Sequence, residues 1–183
     1  MAVIEAIETV RCEADVSSID FTSLGSYQHL QLAVNVRQGY SASTGRSGFT
    51  FQFNNDTAAN YGYVRSFSGL GGTASGTNYT SATTDVAIYG PFSLIGGGAS
   101  TPIPWYSSGI YTIMDYRNTD KYKTVIDWTG WGKTGAGAVG YGQNYWESTA
   151  AITSLKVIND VWSPSVDLAR GSVVTLYGLN SAN

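Results

Sequence analysis

Glycoside hydrolysis needs two carboxyl groups facing each other across a cleft, and few carboxylates of this chain are placed to supply them. Of four glutamates, Glu5, Glu8 and Glu13 are bunched at the N-terminus, and only Glu147 follows an aromatic pair, Tyr145-Trp146. Asp115 and Asp127 fall on neighbouring extended segments, where they could face each other or stand as solvated or lysine-paired carboxylates. His29 is the single histidine, so a Ser-His-Asp arrangement would have to use it, and no Gly-x-Ser-x-Gly turn accompanies it. Asn54, Asn55, Asp56 and Asn60 put oxygen ligands on one loop. Ca²⁺ takes roughly six to eight oxygens, and one carboxylate brings little charge, so an Asx turn accounts for the same residues. Neither Gly71-Gly72 nor Gly96-Gly97-Gly98 is followed by the Lys-Ser/Thr of a phosphate loop. The residues thus point to no catalytic group, no metal and no cofactor.

Aromatic side chains are the remaining candidates. Trp105, Tyr106, Trp128, Trp131, Tyr141, Tyr145 and Trp146 crowd the second half of the chain, several in segments that read as loops. Ring faces on loops stack on sugars or anchor protein interfaces; equally, Trp128 and Trp146 could plug the ends of a core. The candidate contact residues are Trp105, Tyr106, Trp131, Tyr141, Tyr145 and Trp146, joined by Val3, Ile4 and Ile7 of a short apolar N-terminal segment. That segment could add a strand to a neighbouring subunit.

What positions these residues is a set of strands. Tyr27 to Arg37, YQHLQLAVNVR, puts Leu30, Leu32, Val34 and Val36 on one side of a period-2 pattern, with Gln31, Ala33, Asn35 and Arg37 on the other. A strand with one wet face belongs to an antiparallel sheet. Phe49, Phe51 and Phe53 alternate with Thr50 and Gln52, and Ile19 and Phe21 with Asp20 and Thr22. Asn54 to Thr57 is turn chemistry, and Tyr61 to Phe67 is another aromatic strand. Val86 to Leu94 reads as a strand broken at Gly90-Pro91. Ile110 to Tyr116 and Lys121 to Trp128 flank a four-residue hairpin loop. Ile152 to Ile158 and Val173 to Leu179 close the chain. Gln38 to Gly48, Leu70 to Tyr79 and Gly96 to Pro104 read as loops, and so does Gly130 to Gly142, with six glycines in thirteen residues. No stretch shows helical periodicity. The expected fold is all-β: a single-domain antiparallel β-sandwich, jelly-roll-like, over 17–183, preceded by an N-terminal strand or docking arm over 1–16.

Composition narrows the setting. At 183 residues the chain can bury a full core. Charged residues are 13% of it, about half the usual share of roughly 25%. Its surface must therefore be built from Ser, Thr, Asn, Gln, Gly and Tyr, as on extracellular or virion-exposed β proteins. A net charge of -3 with only Lys121 and Lys123 close together excludes a phosphate-tracking nucleic-acid surface. Cys12 is the single cysteine, which rules out an internal disulfide and suits a small semi-apolar residue near the first strand. No apolar run approaches the roughly 20 residues that cross a bilayer as a helix. The opening MAVIEAIETV carries acidic residues where a signal peptide is positive, and release by lysis within a virus particle is one route out of a cell that needs no such peptide.

Four segments stand out together: Ile19-Asp20-Phe21-Thr22-Ser23 leading into Tyr27 to Leu32; Phe51 to Tyr61; Asp115-Tyr116-Arg117-Asn118 with Lys121 to Thr124; and Ala151 to Leu155 with the closing Gly171 to Leu179. In order and spacing they resemble small β-sandwich virion proteins encoded by tailed bacteriophages. The resemblance implies a structural role at the outer surface of the head, or on the tail, and carries over no functional residue. The expectation is a non-enzymatic capsid decoration (cement) protein, a homo-oligomer whose partner is the major capsid protein or another virion protein, with neither nucleic acid nor membrane bound. The alternative is a tail or fibre module that binds a host surface glycan through loop aromatics, and a jelly-roll glycosidase stands third.

Overall fold

The computed structural model describes residues 3–37, 46–70, 77–94, 106–133, 136–159 and 167–180. Twelve strands run through them: β1 (Val3–Arg11), β2 (Ser18–Phe21), β3 (His29–Val36), β4 (Arg46–Phe53), β5 (Tyr61–Leu70), β6 (Thr77–Asp85), β7 (Ile88–Leu94), β8 (Ser107–Met114), β9 (Lys123–Lys133), β10 (Ala136–Trp146), β11 (Leu155–Asn159) and β12 (Val173–Asn180). No helix occurs among the described residues. The alternation in β3 is obeyed in full, with Leu30, Leu32, Val34 and Val36 all buried.

Every pairing is antiparallel, and the strands form an eight-stranded sheet, β1-β12-β3-β8-β9-β10-β5-β6, and a four-stranded sheet, β2-β11-β4-β7. With the hairpins β5–β6 and β9–β10 set aside, eight strands remain. Numbered along the chain, they stand first-eighth-third-sixth in one sheet and second-seventh-fourth-fifth in the other. That order is a jelly roll. The two hairpins extend its larger sheet past β8 by four strands, and β7 packs across the inner side of β8, β9, β10 and β5.

The core lies between the sheets. Phe51 is its aromatic centre, 6.0 Å from the Phe49 ring, 5.7 Å from Phe53 and 5.2 Å from Tyr111 across the sandwich. Thr50 and Gln52, on the other face of β4, are also buried, and Gln52 Nε2 donates to the Val86 carbonyl at 2.8 Å. Tyr116 joins the loop after β2 to the β8–β9 turn by donating to the Gly25 carbonyl at 2.8 Å. Cys12 lies in the core, where burial, with Asp15 and Glu13 nearby, pushes its thiol pKa up.

Three local expectations are corrected. Gly130 to Gly142 is no loop: its described residues form the ends of β9 and β10, paired from Ala136↔Lys133 to Trp146↔Lys123. Glycine suits close backbone approach, and a Cβ at Gly142 would lie 2.7 Å from the Val64 carbonyl oxygen of β5. Ladders on both sides of β10 supply what its weak strand propensity lacks. The break at Gly90-Pro91 does not end the strand: both residues lie within β7 where its register against β4 shifts, between Gly48 and Thr50, an irregularity that accommodates a proline in an edge strand. Parts of the segments read as loops belong to strands: Arg46 to Gly48 to β4, Leu70 to β5 and Thr77 to Tyr79 to β6. The segments 38–45 and 96–104 lie outside the described residues.

Candidate interaction surface

The hairpin extension turns its outer face to solvent, and register lines up its side chains in rows. Ile110 (β8) stands opposite Trp128 (β9), which stands opposite Tyr141 (β10) and then Ser66 (β5). One row along lie Thr112, Ile126, Gln143 and Val64; one row back lie Ser108, Gly130, Val139 and Ser68. Directly opposed antiparallel residues share a face, so Val64, Ile110, Ile126, Trp128, Val139 and Tyr141 form one contiguous patch, and all six are exposed. Trp128 is 67% exposed, and its ring lies 5.7 Å from that of Tyr141 at an interplanar angle of 34°. The inward residues of the same strands explain this orientation. Val125, Asp127 and Thr129 alternate with Ile126 and Trp128 and are buried, so the tryptophan points out.

Asp127 lies directly beneath this face. It pairs with Arg65 at 3.3 Å and accepts from Asn144 Nδ2 at 2.7 Å, all three buried. The cluster sits on the inner side of β5, β9 and β10, beside Tyr111, whose hydroxyl pKa burial drives well up. The apolar patch outside is thus carried on strands tied together by ladders and by a buried ion pair.

The residues singled out in the sequence do not converge. Tyr141 is on the patch. Trp131 is half-buried on the opposite side of β9 from Trp128. Tyr145 is half-buried with its ring over Gly62, where a Cβ would clash with it. Trp146 is 2% exposed and packs between Phe53 and Tyr61, so it is a core residue with no surface for a ligand. Trp128 is the reverse, facing solvent where core filling was one expectation. Tyr106 is half-buried, donating to the Arg170 carbonyl at 3.4 Å with the Arg37 guanidinium 5.5 Å from its ring centroid. Trp105 lies outside the described residues. Val3, Ile4 and Ile7 belong to β1, the edge of the large sheet, which pairs with β12 of its own chain at eight positions. Val3 and Ile4 are exposed and Ile7 packs on the core. Sequence reading did not assign Ile110, Ile126, Val64 or Val139; the available signal was the i, i+2 recurrence of Ile126 with Trp128 and of Val139 with Tyr141.

The candidate chemical groups are also dispersed. Asp115 and Asp127 do not face each other: register sets Tyr111 opposite Asp127, and Asp115 lies beyond the end of β8. Asp115 pairs with Lys121 and lies 3.4 Å from His29 Nδ1, and the lysine contact holds its carboxyl below the usual range. His29 Nδ1 accepts the Asp115 backbone N–H at 2.9 Å, so this nitrogen is spent on the turn. Lys123 is buried at the start of β9, not on a basic surface, and donates to the carbonyls of Lys121 and Thr149; burial lowers its pKa. Glu147 is exposed.

The oxygens of the 54–60 loop are committed to hydrogen bonds. Asn54 and Asn55 both take positive φ in the turn after β4. Asn54 Oδ1 accepts from the Thr153 N–H at 2.8 Å and the Ser154 N–H at 3.2 Å, and its amide donates to the Ala151 carbonyl. Asp56 accepts from Ala58 N, Asn60 Nδ2 and Trp146 Nε1, at 2.9, 2.9 and 2.7 Å. Three N–H donors satisfy this carboxylate, as in the Asx turn expected from the sequence. No group of three or more metal-ligating side chains occurs among the described residues. Partial burial raises the Asp56 pKa, but the donors outweigh it and the net shift is downward from 3.8. The stability this contributes is fully present above about pH 4 and is lost as pH falls through the lower folded value. Thermal unfolding between about pH 5 and pH 2 should therefore show an acid loss that Asp56→Asn flattens; an unchanged slope in the variant would place the acid sensitivity elsewhere.

No protein-family model matches the chain, and no curated protein matches it. A solved structure that matches is titled as the structure of infectious bursal disease virus Gx strain, 13% identical over 98% of this chain with a TM-score of 0.13. This chain spans 39% of that one's length. So low a TM-score carries no argument about fold or role.

Proposed function

We propose that this protein is a non-enzymatic structural protein of a virion, a capsid decoration protein that works by burying an apolar sheet face. The observation that carries the reading is the contiguous exposed patch centred on Trp128 and Tyr141. Soluble monomers rarely expose contiguous apolar patches of more than a few hundred Å², and larger ones mark interaction sites. Covering one large aromatic ring removes roughly 150–250 Å² from water, about 4–6 kcal/mol before ordering costs. Particle symmetry repeats that contact many times, so a modest gain per copy adds up to large stabilisation of the shell. A jelly roll is among the folds used for capsid domains, and the sparse charge suits a surface that docks by shape.

Trp128 and Tyr141 also favour a second reading, a glycan-binding module of a tail or fibre, since neighbouring exposed rings stack on sugars. Locating the protein on purified particles with a labelled antibody separates the two. Label over the head, with heads that lose DNA on mild heating when the protein is missing, supports decoration. Label confined to the tail, with binding of host polysaccharide, supports the module. Absence from particles sinks both.

A further inference from the structure

The patch sits within a larger uncharged face. From β12 through β3, β8, β9 and β10 to β5, no described outward-facing side chain is Asp, Glu, Lys or Arg. Arg65, Lys123 and Asp127, carried by these strands, point the other way and are buried. Polar outward residues are amides and hydroxyls, several already paired along the face: Gln31 Nε2 donates to Thr112 Oγ1 at 3.3 Å, and Asn35 Nδ2 to Ser108 Oγ at 2.9 Å. Six strands at about 4.8 Å spacing and about 20 Å of strand length make a face on the order of 600 Å² in projection. Side-chain relief makes its accessible area larger, which brings it to the roughly 800 Å² per partner of an ordinary interface.

We propose that this face binds a second copy of the same chain, the two large sheets packing back to back about a two-fold axis. The proposal rests on reading the face as an interface and names its occupant. A two-fold contact sets a surface against its own image. A charged face repels that image, and the described outward side chains of these six strands carry no Asp, Glu, Lys or Arg to do so. Amides and hydroxyls both donate and accept, so they can pair with copies of themselves, which carboxylates and ammonium groups cannot. A partner with a charged docking surface would instead lose hydration against this face and gain no counter-charge. Aromatic residues at the centre with charge excluded is also the composition of an interface core.

Sedimentation equilibrium of the full chain at about 1–100 µM tests this, with far-UV circular dichroism as the folding control. The expected result is a dimer for the unaltered chain. Trp128→Glu should stay folded and associate about 30-fold more weakly or worse, as for loss of a central interface residue. Thr22→Glu, exposed just after β2 of the small sheet, should leave the dimer intact. A monomer at 100 µM, or a dimer indifferent to Trp128→Glu, overturns the proposal. Particle binding measured in parallel keeps the two readings apart. A monomer that still coats particles defeats the second copy alone, whereas a dimer that binds no particle defeats the virion reading and leaves the dimer standing.

Discussion

Asp127→Ala is expected to lower the unfolding free energy by about 3–5 kcal/mol, because it breaks a buried ion pair by removing the carboxylate that faces the Arg65 guanidinium. Both side chains are essentially inaccessible, 1% and 0% exposed, and Asn144 Nδ2 would lose its acceptor at the same time. Urea titration reads the loss as a lower midpoint. Removing both charges should behave differently. Arg65→Met combined with Asp127→Leu restores apolar volume with neither charge present, and should recover most of the loss. A loss below about 1 kcal/mol for Asp127→Ala would be that of a solvent-screened pair and would overturn the buried arrangement.

Phe51→Ala should cost a similar amount, about 3–5 kcal/mol, for a different reason. Its ring is fully buried and touches Phe49 and Phe53 in its own sheet and Tyr111 in the other, so truncation leaves a cavity at the centre of the sandwich. Neighbouring rings held by two sheets collapse poorly into such a void. Trp128→Ala is the informative comparison. It removes a larger ring, yet that ring faces solvent apart from its cross-strand contact with Tyr141, and the stability of the monomeric chain should change by no more than about 1 kcal/mol. Equal losses at the two positions would mean that Trp128 is packed and that the outer face is not free.

The strand pattern of the jelly roll core was open to sequence reading because one-sided burial writes itself as alternation. β3, β2 and Phe49 to Phe53 of β4 each carry apolar residues at every second position, and each is found as a strand with that face inward. Where both faces of a strand carry apolar or aromatic residues, alternation is lost. Along β9 and β10, Val125 points in and Ile126 and Trp128 point out, while glycines interrupt the pattern. Gly130 to Gly142 therefore read as a loop, although it carries Val139 and Tyr141 of the exposed patch; the Arg65–Asp127 pair, Ile126 and Trp128 lie in segments that did read as strands.

Taken by itself, the sequence determined the fold class, the inward face of the core strands, the hairpin between β8 and β9 and the use of the 54–60 oxygens in a turn. These follow from strict period-2 burial or from contacts within a few residues, such as the Ala58 and Asn60 bonds to Asp56; the Asn54 bonds to residues 151–154 and the Trp146 bond to Asp56 depend on the tertiary structure. Only the tertiary structure decided which aromatics are surface and which are core. Trp146 and Trp128 are both strand tryptophans in the same half of the chain; one is sealed beside Phe53 and Tyr61 and donates to Asp56, the other stands in solvent beside Tyr141. Their fates depend on strand parity and on which sheet face is covered. The small sheet, four strands wide against eight, covers the inner side of the larger sheet and leaves its outer side to the solvent or to a partner.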